Sequence, residues 1–145
     1  MLMGPVKSVS GMASQLVLPG DNPDVGTLMM KHENGAISTL NTCYASATEN
    51  YVMNIYGKKM NAYFNLHDGL RAVKQGEDKQ FKVEVDRVDD LAGELIEWAE
   101  AIRGNGTPEV GGEGATESLA VIKAGITSVK ERREVDVAEI LALED

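Results

Sequence analysis

The sequence predicts an α+β fold: an open, mostly antiparallel β-sheet with helices packed on one face and the other face available for subunit contact. Three observations predict it. The first two-thirds of the chain runs in short alternating segments separated by turn residues. Asn34-Gly35 stands between two of these segments as a hairpin signal. Beyond Asp90 the apolar period lengthens from two to about 3.6 residues.

Val6 to Gln15 alternates, with Val9, Gly11 and Ala13 on one face and Val6, Ser8, Ser10 and Met12 on the other. Pro19 to Pro23 is a loop, because a proline has no N–H for a ladder. Val25 to His32 is a second strand. Asn34-Gly35 then predicts a two-residue type I′ turn, in which both central residues need positive φ. The return strand, Ala36 to Tyr44, carries Ile37, Thr39, Asn41 and Cys43 on one face.

Polar residues 45–50 lead to a strand at 51–56, a turn at Gly57-Lys58-Lys59, and a strand at 60–66. Asp68-Gly69 reverses the chain into 70–73, and 81–85 alternates as a half-exposed strand. Leu91, Leu95, Trp98 and Ile102 then share a helical stripe, opposite Glu94, Glu97 and Glu100. Asp89 or Asp90 suits the N-cap and Gly104 the left-handed residue past the end. Residues 106–114 read as a linker. A second helix puts Leu119, Ile122, Ile126 and Val129 on one stripe. Its Ala120, Ala124, Gly125 and Ser128 are small enough for close backbone approach. Lys130, Arg132 and Arg133 stand at its end, where cations complement the dipole. Residues 134–137 read as a last strand and the remainder as an acidic tail.

Two helices cannot cover both faces of such a sheet, so both are expected on one. A bare face bearing Met12, Met29, Met30, Ile37 or Tyr56 is an interface candidate.

Composition narrows the function classes. A chain of 145 residues suits one domain, and 43% hydrophobic with 26% charged residues is a globular composition. With 14 basic and 23 acidic residues the net charge is -9, which repels nucleic acid and anionic lipid. No apolar run is long enough to span a membrane, and Met1-Leu2-Met3 is too short for a signal-peptide core, so the expected setting is the cytoplasm. The single cysteine, Cys43, excludes an internal disulfide and a cysteine-rich zinc site.

No catalytic, cofactor or metal constellation emerges. Gly111-Gly112-Glu113-Gly114 lacks the strand and the G-x-G-x-x-G spacing of a dinucleotide loop, and Glu109, Glu113 and Glu117 would repel a pyrophosphate. Cys43 has no histidine within local reach and reads as a small packed side chain. His32 and His67 lie beside turns without metal-ligand spacing and read as surface residues. The glutamates of the first helix form a solvated face, and Tyr44, Tyr51, Tyr56 and Tyr63 read as sheet packing.

Several segments, in order, resemble one family. They are Gly4-Pro5-Val6-Lys7-Ser8-Val9, the stretch from Asn34 to Leu40, and Met53-Asn54-Ile55-Tyr56-Gly57. Glu94 to Arg103 follows with Thr107-Pro108, then Ser118 to Ile122 and Ser128 to Val137. This succession is similar to the C-terminal domain of the Gfo/Idh/MocA oxidoreductases. The resemblance implies one such domain over residues 1–145, helices on one sheet face, and a bare face that joins subunits. It implies NAD or NADP bound by a Rossmann domain that is absent from this chain, as are the family's E-K-P and D-x-x-x-H residues. A sugar, polyol or related metabolite is the implied substrate.

The chain is therefore expected to be the substrate-recognition and homo-oligomerisation domain of an NAD(P)-dependent oxidoreductase, inactive alone and without its own cofactor. Tyr44 to Asn50 offers five hydrogen-bonding side chains where a short turn would suffice. Asn41, Tyr44, Glu49 and Asn50 are the candidate substrate contacts. Two rivals stay open: a freestanding sheet-mediated interaction module, and a small cofactor-free enzyme with a pocket between sheet and helices.

Overall fold

The computed structural model describes residues 2–86 and 88–142. The chain divides into two units, one formed by Met1–Ser46 with Thr107–Asp145 and the other by Ala47–Gly106. Each holds a four-stranded sheet in which every pairing is antiparallel. The α+β, antiparallel class holds, with the strands shared between two sheets.

In the first unit, β1 (Val6–Ser14), β2 (Val25–His32), β3 (Ile37–Cys43) and β8 (Val135–Asp136) lie in the order β3-β2-β1-β8. The β2–β3 connection differs from the type I′ turn. It has three residues, with His32 N–H donating to Ala36 O (2.9 Å) and Gly35 N–H to His32 O (2.9 Å). Only Gly35 has positive φ, at 85°, the arrangement of a type I turn followed by a left-handed glycine. Asn34 contributes through its side chain, accepting from Ala36 N–H (2.9 Å) and donating to Met3 O (3.0 Å).

One face of this sheet is covered by α2 (Gly112–Glu131). Val9, Ala120, Ala124, Val135, Val137 and Ile140 form the core, with Val6, Leu28, Met30 and Val121 packed against it. Met30 thus belongs to the covered face, because alternation sends it opposite Met29. The helix sits close. A Cβ at Gly11 would stand 3.1 Å from Val129 and 3.3 Å from the Gly125 carbonyl, and one at Gly125 would meet Leu28 at 2.9 Å.

That proximity decides which stripe of α2 is buried. The small residues Ala120, Ala124, Gly125 and Ser128 face inward, while Leu119, Ile122 and Ile126 stay more than half exposed. The helix ends at Arg132, in the left-handed region at φ 57°. Residues 137–141 form a short helix, α3 (Val137–Leu141), where the sequence reading has a tail; Val137 and Ile140, three apart, both enter the core.

The loop between β1 and β2 is built around Asp24, which is 3% exposed. Its carboxylate accepts from the N–H groups of Leu16 (2.8 Å), Val17 (2.7 Å) and Leu18 (2.8 Å).

In the second unit, β4 (Val52–Tyr56), β5 (Met60–Asn65), β6 (Gly69–Lys74) and β7 (Phe81–Lys82) follow in sequence order. Ala72, paired with Ala62 and Phe81 on its two sides, is 1% exposed. The helix α1 (Asp90–Ile102) is capped by Asp89, whose Oδ1 accepts from Ala92 N–H at 3.0 Å, and Gly104 follows at φ 80°. Its stripe is not covered as the sequence reading has it: Leu91, Leu95, Trp98 and Ile102 are all at least 60% exposed. Capping and local propensity define this helix, not burial within its unit.

Candidate functional site

Asn41 stands on the uncovered face of the first sheet, directly opposite Thr27. The Thr27 hydroxyl donates to Asn41 Oδ1 at 2.6 Å, which fixes the amide and leaves its NH2 as a donor. Tyr44 follows β3; its backbone N–H is tied to Asp24 O at 2.8 Å while the residue is 81% exposed. Asn41 and Tyr44 therefore lie at one end of the first sheet. Glu49 and Asn50 are exposed and belong to the second unit, in the segment that leads into β4.

The rest of the uncovered face of the first sheet carries Met12 (73% exposed), Met29 (55%) and Ile37 (67%). Cys43 shares this face and is exposed, contrary to the packed reading. The strand ends there without a covering element, so alternation alone does not bury it. His32 corrects the other way. It is 5% exposed, with Nδ1 2.9 Å from Gly4 O and Nε2 2.8 Å from Ser38 Oγ. Because a carbonyl only accepts, Nδ1 carries the proton and Nε2 accepts from Ser38. His67 is exposed, as expected.

Thr27 is the residue the sequence reading misses. Counting register outward from the hairpin would find it, given the right turn length. Among the described residues no group of three or more histidine, cysteine, aspartate or glutamate side chains could hold a metal, and no helix is long and apolar enough to cross a membrane. Glu100 is held below the usual carboxylate range by Asn105 and then Arg103, which donate at 2.6 and 2.7 Å.

The chain is thus an α+β domain of two antiparallel sheets, with its polar candidates on a strand end and in the segment between β3 and β4. The family follows from comparison. The profile described as "Oxidoreductase family, C-terminal alpha/beta domain" matches residues 1–137, and the chain belongs to that Gfo/Idh/MocA family. No curated protein matches by sequence.

Among solved structures, one from Desulfitobacterium hafniense, described as that of an NADPH-dependent oxidoreductase, superposes with a TM-score of 0.89 at 30% identity, over 96% of this chain and 44% of that one. The WlbA dehydrogenase from Bordetella pertussis, solved with NADH and UDP-GlcNAcA, gives 0.73 at 21%, over 93% and 40%. An oxidoreductase from Agrobacterium radiobacter, solved with NAD+, L-tartaric acid and magnesium, gives 0.81 at 17%, over 95% and 45%. The chain thus spans less than half the length of each.

The residues described here do not fit a nicotinamide dinucleotide. Gly111 to Gly114 opens α2, yet an irregular segment precedes it rather than a strand, and Glu113 stands in the first turn. No parallel strand pair, and so no strand–helix–strand crossover, occurs among the described residues.

Proposed function

We propose that this chain is the substrate-facing and subunit-assembling domain of an NAD(P)-dependent oxidoreductase acting on a sugar, polyol or related metabolite. The family match over residues 1–137 carries the reading. Relatives of the same fold that were solved with NADH and a sugar nucleotide, or with NADH and levoglucosan, support it. In this reading a separate Rossmann domain binds the nucleotide, and a cytoplasmic setting goes with it. Asn41, Tyr44, Glu49 and Asn50 contribute hydroxyl, amide and carboxylate groups suited to a polyhydroxylated substrate.

Replacing Glu49 or Asn50 by alanine in the whole oxidoreductase is expected to lower kcat/KM about tenfold per lost hydrogen bond, with the KM for nucleotide unchanged. Steady-state kinetics with both substrates varied would measure this; unaltered kinetics in both variants would move the substrate site elsewhere.

The assembly role rests on Met12, Met29 and Ile37, whose apolar surface costs about 25 cal/mol for each Å² left in water. Pairing two such faces about a two-fold axis is the simplest closed solution. Sedimentation of the chain is expected to show a homo-oligomer at tens of micromolar, and Met29→Glu to reduce it to monomer. A wild-type monomer at that concentration would reject the role.

A further inference from the structure

The segment ahead of β1 is held by the hairpin that joins β2 to β3. Asn34 Nδ2 donates to Met3 O at 3.0 Å, His32 Nδ1 to Gly4 O at 2.9 Å, and Glu33 N–H to Pro5 O at 3.0 Å. Successive carbonyls are thus taken by successive residues of one turn. An extended chain cannot present them so, because its carbonyls point alternately to opposite sides. Gly4 breaks the extended run at φ 78°, a conformation that glycine adopts freely.

The clasp is built into the domain. His32 is 5% exposed, and its Nε2 accepts from Ser38 Oγ at 2.8 Å, so one imidazole ties the segment to β3. Asn34 Oδ1 accepts from Ala36 N–H at 2.9 Å, which fixes the amide and aims its NH2 at Met3. The β1–β2 ladder starts only at Val6, opposite His32, and its register shifts before Ser8. Ahead of Val6 the hairpin, not the ladder, sets the direction of the chain.

We propose that this clasp orients the nucleotide-binding domain on the substrate-facing one, with His32 and Asn34 as positioning residues. The proposal rests on the oxidoreductase reading given above. The family profile describes a C-terminal domain, which puts the nucleotide-binding domain earlier in the sequence, so that its chain enters this one through residues 3–5. A reaction between groups held on two domains needs its reacting atoms about 3–3.5 Å apart. A loose entry would let that separation drift. Hydrogen bonds from a buried imidazole, a turn amide and a backbone N–H hold it.

Pulsed EPR on the whole oxidoreductase tests this, with one nitroxide on the exposed Thr116 of α2 (Thr116→Cys, in a Cys43→Ser background) and one on the nucleotide-binding domain. Asn34→Asp keeps an oxygen for the Ala36 N–H and removes the donor to Met3, so the turn survives and the clasp opens. It is expected to broaden the narrow distance distribution of the wild type and to leave the urea midpoint nearly unchanged. Exchange of the Glu33 amide should quicken about tenfold. Gly4→Ala, strained at φ 78°, should broaden the distribution likewise. Glu33→Gln is the control and should match the wild type, because the backbone of Glu33 makes the bond to Pro5. A distribution that stayed narrow in both Asn34→Asp and Gly4→Ala, or was already as broad in the wild type, would overturn the proposal. Calorimetry with NADH and NADPH separates the two failures. A whole protein that bound neither would reject the oxidoreductase reading and the proposal with it. Nucleotide binding beside an unmoved distribution would reject the proposal alone.

Discussion

Replacing Ser128 by alanine is expected to lower the unfolding free energy by about 2–4 kcal/mol, because it leaves two backbone groups near the core without partners. Ser128 is 2% exposed, on the stripe of α2 that meets the sheet. Its hydroxyl accepts from Gly11 N–H at 3.0 Å and donates to the Arg133 carbonyl at 2.5 Å. The short strand β8 pairs only with Ser8 and Val9, so past Val9 the serine oxygen serves Gly11 where a neighbouring strand would. The second bond secures the left-handed exit at Arg132, whose N–H caps the Ser128 carbonyl at 2.8 Å. Urea unfolding checks the expectation. Ser118→Ala is the control, since that exposed hydroxyl bonds only within its own helix and should change stability by about 0.5 kcal/mol or less. If Ser128→Ala proved as mild, the hydroxyl would not be what joins helix to strand.

Ser128 also shows where sequence patterning stops. Hydrophobic periodicity on α2 selects Leu119, Ile122 and Ile126, yet the buried stripe is Ala120, Ala124, Gly125 and Ser128, the residues the sequence reading marks as small enough for close backbone approach. Periodicity ranks side chains by apolar area, whereas backbone proximity at Gly11 and Gly125 rewards the smallest ones. Face assignments along strands read well, because alternation needs only parity: Ile37, Thr39, Asn41 and Cys43 do share one face.

Register is harder. A two-residue turn would pair Thr27 with Thr42; the three-residue turn pairs it with Asn41. One residue of loop length separates the two, and with it goes the hydrogen bond that orients a candidate site amide. The candidate site itself was legible only as a run of polar residues. Which of them share a sheet depends on where the chain passes between units, at Ser46 and Ala47, and no local pattern marks that point.

Acidification is expected to release the loop at residues 15–23, at a pH set by Asp24. An ionised carboxylate only accepts, so the N–H groups of Leu18, Val17 and Leu16 favour the charged form and hold Asp24 below its ordinary range, against the opposing pull of burial. Between the folded value and the ordinary one, the unfolded chain binds the extra proton. The stabilisation is therefore complete above about pH 4, where an unperturbed aspartate is ionised, and is lost as pH falls through the lower, folded value. The Leu16, Val17 and Leu18 amide resonances should move together through that acid step. Asp24→Asn replaces the anion by a neutral amide with a single acceptor oxygen, which cannot satisfy all three donors. In the variant the step should vanish, and hydrogen exchange of these amides at neutral pH should quicken by about tenfold or more. A step that persisted in Asp24→Asn would assign the titration to another carboxylate, and exchange that stayed slow would mean the β1–β2 loop is held by its backbone, not by this side chain.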